Sequence, residues 1–164
     1  MRIVDFLDMS SSSKLVLQHR GSTSKRDDPK LAALLDKSLE YFDADKLNLK
    51  IAEVFERNLS KSETIEALAF ISSASGAAVA DIIHNNPDPE ARMKKLSELD
   101  PLHRTQAEIF FKSPSGIKIK ELIVSPEMKE INRGYGEELM CISFSKNDQV
   151  ILQKVQASGK CLNI

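Results

Sequence analysis

Apolar residues recur along this chain at helical spacing from end to end. After Pro29, the residues Leu31, Leu34, Leu35, Leu39 and Phe42 share one face; after Asp43, so do Leu47, Ile51, Val54 and Phe55. The segment Ser60-Lys61-Ser62-Glu63 has the form of a capping box, in which Ser60 and Glu63 satisfy each other's backbone N–H groups. The helix it opens carries Ile65, Leu68 and Ala69 as its apolar positions. A small-residue helix follows (Ala74, Gly76, Ala77, Ala78, Ala80), able to pack closely at the centre of a bundle and ending near His84-Asn85-Asn86-Pro87. A short polar helix over 89–99 leads to two more, one ending in Phe110-Phe111 and one carrying Ile119, Leu122 and Ile123. Ser125-Pro126 starts or kinks the next, striped by Met128, Ile131, Tyr135, Leu139 and Ile142 and weakened by Gly134 and Gly136 at roughly 1 kcal/mol each relative to alanine. A last amphipathic stretch covers 148–156.

The turn chemistry points the same way. All six prolines follow Asp, Asn or Ser, and a capping residue followed by proline is how helices begin. Glycine is scarce, and β-branched residues do not alternate with polar ones as strands require. The fold class expected is therefore all-α, a compact bundle of about seven to nine helices in one domain spanning 1–164. Within residues 1–28, the serines Ser10 to Ser13 interrupt the apolar pattern, giving two short helices or one broken one. Gly21 to Asp27 reads as a mobile polar loop.

One corner occurs twice. Sliding the chain by 40 positions, the distance from Gly76 to Gly116, places Phe70 on Phe110, Ser73 on Ser113, Ser75 on Ser115 and Ile83 on Ile123. In each copy a serine can cap the outgoing helix; in the second, Pro114 takes its first position, where the missing N–H costs nothing. Gly76 and Gly116 leave room for another backbone to come close. The spacing matches helical-hairpin repeats, so 60–83 and 100–123 read as two pseudo-repeated hairpins.

Composition narrows the classes of function. With 23 Lys plus Arg against 24 Asp plus Glu, the net charge is -1, which argues against a nucleic-acid footprint or a polybasic membrane anchor. No apolar run approaches the ~20 residues of a membrane helix, so no membrane insertion is expected. The opening Met1 to Asp8 lacks the apolar centre of a signal peptide. The chain is then either cytoplasmic or a mature exported chain behind an added Met1. Cys141 and Cys161 can close a short C-terminal loop as a disulfide in an oxidising compartment, or stand as two thiols.

Candidate chemistry is sparse. His19, His84 and His103 lie far apart and belong to no metal-ligand pattern, and no Cys/His grouping indicates zinc. His84 fits a helix C-terminus, where the dipole favours it. Nucleophile elbows, phosphate loops and dinucleotide fingerprints are absent, so no catalytic, cofactor-binding or metal residues are assigned. Glu137-Glu138 and Asp27-Asp28 read as solvated surface. Lys112, Lys118 and Lys120 surround the second corner and could meet an anion at a helix N-terminus. Phe70, Phe110 and Phe111 read as core plugs, with a ligand groove between the hairpins as the other option.

The run Phe110-Phe111-Lys112-Ser113-Pro114-Ser115-Gly116-Ile117-Lys118 resembles the Phe-Tyr-x-Ser-Pro-x-Gly-x-Lys signature of domain-of-unknown-function family 2059. Two departures are visible: Phe111 replaces the tyrosine, and the preceding helix from Pro101 to Glu108 carries less acid than the family pattern. The resemblance implies a small helical bacterial protein, most relatives being exported to the periplasm, and supplies no catalytic residues. The expected role is a non-enzymatic cell-envelope protein acting through protein–protein contact. The alternatives are a carrier of a small apolar ligand, held where Ala74–Ala80 faces the phenylalanines, or an inhibitor of a toxin or hydrolase. No cofactor is expected.

Overall fold

The computed structural model describes residues 2–24, 29–86 and 88–162. These form α1 (Ile3–Phe6), α2 (Met9–Ser24), α3 (Pro29–Ser38), a 3₁₀ turn (Leu39–Tyr41), α4 (Ala44–Asn58), α5 (Lys61–Ile71), α6 (Ala74–Asn85), α7 (Pro89–Ser97), α8 (Pro101–Lys112), α9 (Pro114–Ile123), α10 (Pro126–Asn147) and α11 (Gln149–Ala157). No strand occurs among the described residues. The fold is the expected all-α bundle, divided more finely because the short elements stand as separate helices.

Local chemistry sets most of the boundaries. Each helix from α4 to α11 is capped at its N-terminus by an Asp or Ser side chain that accepts a backbone N–H: Asp43, Ser60, Ser73, Asp88, Asp100, Ser113, Ser125 and Asp148. Each cap satisfies one of the donors a helix start leaves open, worth about 1 kcal/mol. Ser60 and Glu63 make the full reciprocal box, at 2.7 and 3.3 Å. Pro29, Pro89, Pro101, Pro114 and Pro126 each open a helix, as their missing N–H permits; Pro87 lies outside the described residues.

The main core is built on α4. Leu47, Ile51 and Val54 are fully buried at spacings of four and three, and Phe55 extends the stripe. Met128, Tyr135 and Leu139 of α10 meet this face, together with Val4 and Phe6 from α1 and Ala67 and Val79 from α5 and α6. The Tyr135 hydroxyl both donates to the Asp43 carbonyl and accepts from the Asp43 N–H, each at 2.8 Å. Its buried polar end is thereby satisfied where α4 begins. A smaller core of Leu34, Phe144 and Leu152 joins α3, the end of α10 and α11.

The N-terminal region departs from the pattern read above. The helix break falls at Leu7-Asp8, where Asp8 takes a left-handed conformation (φ 50°), and Ser10 to Ser13 lie inside α2. The single Ser13 hydroxyl proton is shared between the Met9 carbonyl one turn back and Asn132 Oδ1 of α10, the latter the closer at 2.6 Å, so a serine of low helix propensity is retained through a tertiary contact. Gly21 to Ser24, expected in a loop, continue α2, which packs along α3; packing overrides the local preference. The remainder of that expected loop, 25–27, and Asp28 beside it lie outside the described residues. On α5 the apolar face is reversed: Ala67 and Ile71 are buried, whereas Ile65, Leu68 and Ala69 face solvent. Helix α10 runs unbroken through Gly134 and Gly136.

Candidate functional site

The two serine-glycine corners are built alike. Helices α5 and α6 meet at 78° across Ser72-Ser73. The Ser73 hydroxyl accepts from the Gly76 N–H at 3.0 Å, and the Ser113 hydroxyl from the Gly116 N–H at 3.3 Å. The N–H of each capping serine donates to the carbonyl three residues back, Phe70 or Phe110, at 2.9 and 3.0 Å. At both glycines the space a side chain would need is filled by the helix just left. A Cβ on Gly76 would overlap the Phe70 carbonyl oxygen and lie 2.9 Å from Ile71 Cα; on Gly116 it would overlap the Phe110 carbonyl oxygen and lie 2.7 Å from Phe111 Cα.

The corners also meet. Phe70 and Phe110 stack with ring centroids 4.2 Å apart and planes 9° off parallel; Phe111 and Phe6 close on Phe70 edge-on, both at 6.0 Å. Helix α6 packs on α8, and α5 on α9, so each hairpin lies across the other. Two hydrogen bonds cross the same boundary. Ser75 of the first hairpin is 3.0 Å from His103 Nδ1 of the second, and buried Ser115 of the second donates to Glu66 of the first. All eight residues singled out for this motif thus gather at one place: Phe70, Ser73 and Gly76 from one hairpin, and Phe110, Phe111, Ser113, Pro114 and Gly116 from the other. Sequence reasoning did not find Glu66 and His103, since long-range partners leave no local signal.

The Ser115 hydroxyl, with help from Ser113, holds the Glu66 carboxyl below its ordinary value of 4.5. A carboxylate with a depressed folded pKa contributes stability that is present above the unfolded value and lost as pH falls through the folded one. Between about pH 5 and pH 3 the melting temperature should therefore fall more steeply for the wild type than for Glu66→Gln. Parallel melting curves would remove Glu66 from this role.

Cys141 and Cys161 form a disulfide, with Cα atoms 5.4 Å apart. It ties α10 to the segment after α11, where Gln156 Nε2 donates to the Cys161 carbonyl at 3.2 Å. Beside it lies an open groove of about 850 Å³, bordered by Met140, Ile142, Val155 and Leu162. Further grooves open between α2 and α10 (about 500 Å³), between α7, α8 and α9 (about 370 Å³), and beside α1, α4 and α5 (about 260 Å³). Neither Phe70 nor Phe110 lines any of these, so the space considered between the hairpins is taken up by ring stacking.

The other candidate residues scatter. His84 ends α6 as expected, and its Nε2 donates to the Asp5 carbonyl at 2.7 Å. Glu138 bonds Lys46 and Lys50, the latter at 3.0 Å, and Glu137 pairs with Arg133 at 2.5 Å. Partial burial pushes the Glu138 carboxyl up, but the two lysine bonds outweigh it and leave the group below 4.5. The three lysines of the second corner separate: Lys118 is on the side of Glu63, while Lys112 and Lys120 border the α7–α8–α9 groove. The buried Asn48 Oδ1 has no partner among the described residues and borders none of the grooves.

Among the described residues, no three His, Cys, Asp or Glu side chains gather to hold a metal ion, and no single helix is long and apolar enough to cross a membrane. The chain defines itself as an all-α bundle with two interlocked hairpins and a disulfide-tied C-terminal segment. No protein-family model matches it, and no curated protein or solved structure matches it.

Proposed function

We propose that this chain is a non-enzymatic bacterial protein of the cell envelope, located in the periplasm and acting through contact with another protein. The observation that carries the reading is the outer face of α5, where Ile65 is 59% and Leu68 39% exposed and Ala69 is exposed beside them. An amphipathic helix in a monomer turns such residues inward; here the inward positions are already held by Ala67 and Ile71. The Cys141–Cys161 disulfide supports an oxidising compartment over the cytoplasm, and the resemblance around Phe110 to Lys118 supports an exported bacterial protein. Residues 60–83 and 100–123 are read as an internal repeat that builds the scaffold for this face.

The test is site-specific photo-crosslinking in the native host, with the probe at position 65 and a control probe at exposed Glu90 of α7. The expected result is one protein adduct in the periplasmic fraction from position 65, lost on Leu68→Glu and absent from position 90. No adduct, or substrate turnover by the purified protein that is abolished by alanine at polar groove residues, would overturn the reading. An adduct with a toxin or hydrolase would give the contact the inhibitory sense considered above.

A second reading, a carrier of a small apolar ligand, is favoured by one specific observation. The α7–α8–α9 groove is walled by Met93, Leu96, Leu99, Ala107 and Phe111, and α7 contributes no buried residue that would fix it shut.

A further inference from the structure

We infer that the groove between α7, α8 and α9 is a binding site for a single-chain amphiphile with an anionic head, a medium-chain fatty acid being the type. The inference deepens the carrier reading and rests on it; it is independent of the protein contact at α5.

The groove's floor is apolar and its rim is positive. Leu96, Leu99, Ala107 and Phe111 line the interior, and Met93, 68% exposed, stands at the mouth on α7. An unbranched, polarizable methionine at such a place adapts to a flexible chain. Around the rim are three cations, Arg104, Lys112 and Lys120, and one carboxylate, Glu108. Glu108 is already paired with Lys112 at 3.3 Å. Arg104 donates Nη1 to the Ser97 carbonyl at 3.1 Å, which leaves its other guanidinium N–H groups open, and Lys120 has no hydrogen-bond or ion-pair partner among the described residues. Two positive charges therefore remain uncompensated beside an apolar groove, in a chain whose net charge is -1.

The other hairpin offers a comparison. The 40-residue offset sets Arg104 on Thr64, Glu108 on Leu68 and Lys120 on Ala80. Thr64 and Leu68 line the groove beside α1, α4 and α5, so the two grooves run along the same face of the first helix of each hairpin. Thr64 and Leu68 are neutral, Ala80 is buried away from the α5 groove, and the charged residues of that groove are Arg2 beside α1 and Glu56 of α4. The α8 groove thus carries its uncompensated positive charge on the hairpin itself, at Arg104 and Lys120, where the first hairpin puts no charge on its groove. A volume of about 370 Å³ suits one alkyl chain and is at the small end of ligand pockets. A carboxylate placed between Arg104 and Lys120 would gain charge-assisted hydrogen bonds that an alcohol cannot make at full strength.

The test is calorimetric titration of the full chain with dodecanoate, dodecanol and dodecyltrimethylammonium, each below its micelle concentration. Dodecanoate is expected to bind one to one, dodecanol about tenfold more weakly, and the cation not at all. Lys120→Glu should bring dodecanoate down to the level of dodecanol and leave dodecanol unchanged; Met93→Glu should weaken both. Both positions are exposed, so neither variant disturbs the core. Equal affinity for acid and alcohol would overturn the anionic head while leaving the carrier reading standing. Dodecanoate binding that ignores both substitutions would overturn the site. Binding of no probe would remove the carrier reading together with this inference.

Discussion

Gly116→Ala is expected to lower stability by about 3 kcal/mol or more, a fall in melting temperature of roughly 6–12 °C for a chain of this size. Elsewhere in a helix the same change stabilises by about 0.5–1 kcal/mol, because alanine loses less backbone entropy on folding. At Gly116 the sign reverses, since the new methyl group meets the backbone of Phe110 and Phe111 and backbone cannot rotate aside. Gly76→Ala should behave the same way against Phe70 and Ile71. Gly134→Ala is the control: a Cβ there meets nothing within 4 Å, so α10 should gain stability. Thermal denaturation of the three variants checks the set. A neutral Gly116→Ala would mean that the corner opens freely, and the tight approach of α8 to α9 would lose its importance.

Opening the disulfide, by reductant or by the double change Cys141→Ser and Cys161→Ser, is expected to cost about 3 kcal/mol. The bond closes a loop over a sequence separation of 20, and loss of its constraint on the unfolded chain gives that magnitude. The effect should be felt first in α11, which is held by the small core of Leu34, Phe144 and Leu152 rather than by the main one. Denatured protein should show no titratable thiol before reduction and two after it. Two thiols reacting without reductant would remove both the bond and the support it lends to an oxidising compartment.

What could be read from residues alone was what residues decide among near neighbours. Ser60, Ser73, Ser113 and Ser125 cap where expected, because a hydroxyl reaches the N–H three positions on without help from the fold. The capping serine, the glycine and the aromatics likewise identified the corner. What escaped was set at a distance. Ser13 stays helical through Asn132, 119 positions away, and Glu66 and His103 meet their serines across 49 and 28 positions. The face of α5 was misread because its apolar residues lie on more than one side of the helix, and only its neighbours determine which side is covered. The cysteine pairing stayed open because their spacing along the chain does not specify the 5.4 Å between Cα atoms.

The crossed serine bonds make each hairpin the other's missing wall. Ser75 depends on His103, Ser115 on Glu66, and the Phe70 ring on Phe110, so a fragment ending between α6 and α8 would strand one partner of every pair. Although the sequence divides there into two similar lengths, the folded molecule has no seam at which it can be halved.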